Sequence, residues 1–262
     1  MKIALLDSGI GLLPAAAALR ALRPDADLVL TNDPDGMPWG PRTPADLTEH
    51  ALACARAAVE LRPDVLVVAC NTASVHALDA LRAELEPGIP VIGTVPAIKP
   101  AARGGGQVAI WATPATTGSA YQRGLIDEFG GAAEVTEVGC PGLADAVDRA
   151  DEAALTAAIA AAAARTPAGV RAIVLGCTHY EMVEDRIRAA VAPTAAPDLE
   201  LFGSADAVAA QALRRAPAAA LARTGGGTLT VLQTGRPGPL PTVALRYPQG
   251  RALQSPAAAP AC

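Results

Sequence analysis

A-I-V-L-G-C-T-H-Y, residues 172–180, is an apolar run, a glycine and a cysteine, followed at once by Thr178, His179 and Tyr180. Four apolar residues with β-branched members, bounded by turn chemistry, form the pattern of a buried parallel strand. Cys177 then falls at the strand's carboxyl end, where open α/β sheets hold their ligands. V-L-V-V-A-C-N-T, residues 65–72, repeats the pattern and delivers Cys70 to an equivalent place. The two cysteines are 107 residues apart, and K-I-A-L-L-D-S (2–8) is echoed by Q-V-A-I-W-A-T (107–113) at an offset of 105. Matching offsets predict a duplicated α/β unit. The expected fold class is α/β, with two pseudo-symmetric domains, each a mainly parallel sheet flanked by helices. If the units face each other, their carboxyl edges form one cleft, and a thiol from each reaches a ligand from opposite sides.

The remaining composition narrows the function. The chain has 262 residues, 18% of them charged, with a net charge of −5, so no electrostatic case exists for nucleic acid or an anionic membrane. No basic-then-apolar leader is visible, and no apolar run approaches the roughly 18 residues of a membrane span. A cytoplasmic protein is expected. Five cysteines without framework spacing point to reduced thiols. The absence of C-x-x-C spacing and a total of three histidines argue against a structural zinc site, so no metal is expected.

Along the chain, D-S-G-I-G (7–11) leads from a first strand into a helix over 12–22, where Pro14 fits only in the first turn. A strand at 27–31 precedes an irregular loop, N-D-P-D-G-M-P-W-G-P-R (32–42), whose Trp39 reads as exposed. Leu47, Ala51, Cys54, Ala55 and Ala58 mark the buried face of a helix that ends near 61. Residues 73–85 read as the helix after Cys70, with His76 on it. Residues 112–119 supply hydroxyls at a helix amino end. Further helices are expected at 151–164, 181–192 and, as the last, 204–214, with a final strand at 228–232. From 235 to 262 proline, glycine and alanine suggest a mobile tail ending in a bystander Cys262.

One cysteine at a strand end is more often an inert core residue than a catalyst. Two at matching positions of a repeat, each beside amide or hydroxyl side chains, favour chemistry. The cleft offers few metal donors, and nothing shows disulfide geometry. Acid–base work remains: one thiolate takes a proton while the opposite thiol gives one, which inverts a stereocentre. Asp7 and His179 are placed to tune the thiols.

With D-S-G-I-G, C-N-T-A-S (70–74) and G-C-T-H-Y (176–180) in this order over residues 1–232, the chain resembles the aspartate/glutamate racemase family. The resemblance implies two α/β domains, residues 1–98 with 203–234 and residues 99–202, and no cofactor. It makes Cys70 and Cys177 the catalytic acid/bases, assisted by Asp7 and His179. Asp7 and Ser8 correspond to residues at the substrate amino group. Asn71, Thr72, Thr178 and His179 correspond to carboxylate donors, and Thr113 and Thr116 fall near the family's threonines. Trp39-Gly40 replaces the family's Tyr-Gly, so an indole N–H stands where a hydroxyl contacts the ligand. Leu12 stands for a glycine, Glu181 for a proline after T-H-Y, and Asp148 for an auxiliary glutamate. The implied activity is cofactor-independent interconversion of L- and D-glutamate, supplying D-glutamate for peptidoglycan. Aspartate, a hydantoin or another acid is the alternative substrate, and a non-catalytic regulatory member is the third reading. The implied partner is a small amino acid with one or two carboxylates, and family members often pair as homodimers.

Overall fold

The computed structural model describes residues 1–254. They form two units, Met1–Thr94 together with the chain from Ala205, and Val95–Ser204. The first is built on strands β1 (Lys2–Leu6), β2 (Asp27–Asn32), β3 (Val65–Val68) and β4 (Val91–Gly93), the second on β5 (Gly106–Ala112), β6 (Ala133–Gly139), β7 (Ala172–Leu175) and β8 (Glu200–Phe202). The chain adds β9 (Leu229–Gln233) and β10 (Arg236–Gly238) to the first sheet. That sheet runs β10-β9-β2-β1-β3-β4 and the second runs β6-β5-β7-β8. The common order is β2-β1-β3-β4 matched by β6-β5-β7-β8, all parallel. The offset seen in the sequence is therefore a repeat of topology, and the α/β expectation holds.

Burial explains the composition of the strands. Central β1 and β3 are covered on both faces, so I-A-L-L and V-L-V-V carry no alternation of apolar and polar residues. In the first unit, Ala4, Leu6, Leu66 and Val68 pack with Leu47, Ala51, Cys54, Ala55 and Ala58 of the helix Pro44–Val59. That helix starts where Thr43 accepts a bond from the Asp46 N–H at 3.3 Å and Pro44 occupies its first turn. In the second unit, Val108, Ile110, Ala172 and Val174 form the sheet side of a core with Ile98 and Ala101. The alanine-rich segment is a helix, Glu152–Ala163, capped by Asp151 and burying Leu155, Ile159 and Ala162. Among the described residues no helix is long and apolar enough to cross a membrane.

Three segments differ from expectation. The stretch after Cys70 is two short helices, Asn71–His76 and Leu78–Leu85, and the first begins directly after the cysteine. The stretch after Cys177 starts as a 3₁₀ turn, Thr178–Val183, before the helix Glu184–Val191. Residues 235–254 are structured rather than a tail. Thr234 and Gly235, with φ of 45° and 75°, make the two-residue turn that pairs Gln233 with Arg236, so β10 is antiparallel to β9. A 3₁₀ turn, Thr242–Arg246, and a helix, Pro248–Gln254, follow and bury Ala244, Gly250 and Leu253, so Ala205–Arg215 is not the last helix. Cys262 lies outside the described residues.

Candidate active site

In the first unit, parallel register brings Asp7 and Ser8, Asn32 and Asp33, and Cys70 to one edge, since Leu6 pairs with both Thr31 and Val68. Ala69 donates its N–H to the Leu6 carbonyl at 2.8 Å, so Cys70 is the first residue beyond the sheet. Cys70 is 8% exposed, with φ −141° and ψ 121°, and opens the helix Asn71–His76. The start of that helix is fixed from below. Thr94 donates its hydroxyl to the Val68 carbonyl at 2.8 Å and its N–H to Ser74 Oγ at 2.8 Å. Asp7, Ser8, Asn71 and Thr72 are all buried here, whereas His76 is exposed. Both polar atoms of the Asn71 amide are buried without a protein partner among the described residues. Leaving such a group unmade costs about 1–3 kcal/mol, which makes it a candidate for binding a ligand.

The second unit repeats the device. Gly176 donates to the Trp111 carbonyl at 2.7 Å, the counterpart of the Ala69 bond. A Cβ on Gly176 would lie 2.8 Å from that oxygen, so glycine is required. Cys177 is 8% exposed, with φ −140° and ψ 132°, and opens the Thr178–Val183 turn. The two thiols therefore share strand position, backbone conformation and burial. Thr113 and Thr116 follow neighbouring β5, with their hydroxyls 3.3 Å apart, and Thr178 is buried beside Cys177.

His179 connects Cys177 to a carboxylate. Its Nδ1 is 3.6 Å from Cys177 Sγ, and its Nε2 is 3.1 Å from Asp148 Oδ2. Burial, the largest influence, acts to lower the imidazole pKa. The Asp148 charge and hydrogen bond, with the Cys177 sulfur, outweigh it and hold the pKa well above the usual value. One ring nitrogen of buried His179 thus faces sulfur and the other faces carboxylate. Asp148 is thus one hydrogen bond from the Cys177 partner, despite its shorter side chain.

The loop after β2 is a correction. Trp39 is 1% exposed, and its indole N–H donates to Asp33 Oδ2 at 3.0 Å, so it is a core residue of this loop. Gly40, by contrast, has open space where a side chain would project. Asp33, missed in the sequence, is 1% exposed and accepts at Oδ2 from His50 Nδ1 at 2.7 Å as well as from Trp39. Its Oδ1 accepts from Thr234 Oγ1 at 3.0 Å and from the Gly36 N–H at 3.2 Å. Its own N–H donates to the Ser8 carbonyl at 3.0 Å. The only sequence signal was an Asp next to Pro and Gly, which turn chemistry explains equally well. Asn32 was also missed; it is buried, with Oδ1 unpartnered among the described residues.

Cys54 and Cys140 are both pushed to about 12 by burial, with Asp33 adding to the rise at Cys54, so neither is a thiolate at neutral pH. Among the described residues, no group of three or more His, Cys, Asp or Glu is arranged to hold a metal ion.

Each of the two parallel sheets thus ends in a cysteine, the first followed by Asn71 and Thr72 and the second by Thr178. The chain belongs to the Asp/Glu/Hydantoin racemase family, which matches residues 13–222, and it is an isomerase. It is 37% identical over 246 residues to the glutamate racemase of Roseiflexus sp., covering 90% of this chain and 88% of the relative. It is 35% identical over 243 residues to that of Herpetosiphon aurantiacus, covering 90% and 93%. Escherichia coli glutamate racemase, solved with L-glutamate and the activator UDP-MurNAc-Ala, superposes with a TM-score of 0.74 at 28% identity, covering 88% of this chain and 98% of that one.

Proposed function

We propose that the chain interconverts L- and D-glutamate by proton transfer between Cys70 and Cys177, without a cofactor, and supplies D-glutamate for peptidoglycan. The observation that carries this reading is the matched placement of the two thiols, one of them joined to His179 and Asp148. The names of the relatives support glutamate as the substrate.

In one direction a cysteine thiolate removes the α-proton: the Cα–H bond breaks, an S–H bond forms and the electron pair stays on the substrate. The opposite thiol then delivers its proton to the other face. An α-proton is weakly acidic and a thiolate only moderately basic, so donors aimed at the developing charge must close the gap. Asn71, Thr72 and Thr178 are the donors available at the two thiols, and Asp7 and Ser8 are assigned to the substrate amino group. His179 lies within hydrogen-bonding range of the Cys177 sulfur, and Asp148 favours its protonated form.

The direct test follows optical rotation with L-glutamate, D-glutamate and L-aspartate, with no additive. Rotation of either glutamate enantiomer decays to zero if the reading is right. Decay with aspartate alone transfers the assignment to aspartate. The Asp148→Asn variant tests the ion pair. Without the carboxylate, burial of His179 is less opposed, so the imidazole loses its proton at lower pH. The alkaline limb of the kcat–pH profile is expected to move down by about one unit or more, with a fall in kcat of about tenfold. An unchanged profile removes His179 from the proton chemistry.

A further inference from the structure

Glu181 stands where the resemblance calls for proline, and the structure gives it a bonding role. It lies in the Thr178–Val183 turn, two residues beyond His179 and four beyond Cys177. Its Oε1 accepts both the Ser204 N–H at 2.8 Å and the Ser204 hydroxyl at 2.9 Å. Ser204 is 2% exposed. The carboxylate also lies flat on Gly203, where a Cβ would come within 2.5 Å of Oε2 and 2.6 Å of Cδ. A larger residue at 203 would displace the carboxylate, so Gly203, Ser204 and Glu181 fit as a set.

This contact crosses one strand spacing of the sheet. Cys177 follows β7, while Gly203 and Ser204 follow β8, its hydrogen-bonded neighbour. A 3₁₀ turn has poorer internal hydrogen-bond geometry than an α-helix and relies on outside contacts for its shape. At its start, Tyr180 donates its N–H to the Cys177 carbonyl at 3.0 Å. Beyond His179, the two hydrogen bonds that Ser204 donates to Glu181 hold it to the end of β8.

We propose that Glu181 is a positioning residue for the Cys177 half of the reaction. It braces the turn so that His179 Nδ1 stays at hydrogen-bonding range of the Cys177 sulfur. The inference rests on the reading of Cys177 as an acid/base. It predicts an effect confined to one of the two thiols, which general loosening of the fold would not produce.

The experiment compares Glu181→Ala, Glu181→Gln and Ser204→Ala with the parent chain. The first readout needs no substrate: iodoacetamide alkylation of Cys177 and Cys70 as a function of pH, resolved by peptide mass spectrometry. Glu181→Ala is expected to change the Cys177 rate at neutral pH about threefold or more and leave Cys70 unchanged. Glu181→Gln keeps an acceptor oxygen for Ser204 and is expected to restore the parent rate. Ser204→Ala, which loses only the hydroxyl bond, falls between. The second readout is turnover of α-deuterated glutamate. Glu181→Ala is expected to lose about tenfold in kcat with KM within about twofold. Its isotope effect should rise only for the enantiomer deprotonated by Cys177. A Cys177 alkylation profile that is unchanged in Glu181→Ala, or one that changes together with Cys70, overturns the inference. If Cys177 alone responds while the parent chain leaves glutamate unchanged, the brace stands and the glutamate reading falls.

Discussion

Cys70→Ser and Cys177→Ser are each expected to abolish full racemisation of glutamate while leaving the chain folded. Serine matches cysteine closely in shape at these nearly buried positions, so neither change opens a cavity. What is lost is acidity: an alcohol is far less ionised than a thiol near neutral pH and is a poor proton acceptor and donor in this pair. Removing one acid/base costs about 10²–10⁴-fold in rate. Because each turnover needs both groups, the single variants and the double variant are expected to be similarly inactive, as for residues that act as a unit. Optical rotation with each enantiomer, with far-ultraviolet circular dichroism to report folding, checks this. Near-parent turnover by either serine variant ends the two-base scheme.

Asp33→Ala is expected to cause the largest loss of stability. One carboxylate, 1% exposed, receives Trp39, His50, Thr234 and the Gly36 N–H, which come from the loop, the helix Pro44–Val59 and the turn between β9 and β10. Its removal leaves the Trp39 indole N–H buried and unmade, while the Gly36 N–H keeps its bond to the Asp33 carbonyl. Breaking a buried network on one side costs about 3–5 kcal/mol. The His50 contribution is discounted because that side chain is 31% exposed. Urea unfolding at pH 7 measures the loss. A decrease below about 1 kcal/mol contradicts this role for Asp33.

The repeat was legible because buried parallel strands leave an unambiguous mark. I-V-L-G-C and L-V-V-A-C differ in residues but put apolar volume, a small residue and a thiol in the same order. The small residue is needed where the strand's last N–H meets a neighbouring carbonyl, as the contact at Gly176 shows. The buried face of the helix Pro44–Val59 was legible for the same reason, since periodicity reports burial directly. The loop 32–42 was not. Its conformation is set by Asp33 binding groups 3, 6, 17 and 201 residues away, and no local pattern encodes such contacts. Trp39 therefore read as exposed although it fills the core. The segment after β9 was misread because its proline and glycine content, which suggests a tail, also suits a tight hairpin and short helical turns. Asp148 was found only through the resemblance. Its contact with His179 joins residues 31 apart, and only the fold brings them together.

In the proposed reaction a proton leaves one face of glutamate Cα and another arrives on the opposite face. Proton NMR of L-glutamate, then D-glutamate, in D₂O with the purified chain and no cofactor follows that event at the atom concerned. The expected result is loss of the α-proton signal from both enantiomers, keeping pace with racemisation. Retention of the α-proton in both, by a folded chain with reduced Cys70 and Cys177, would contradict it.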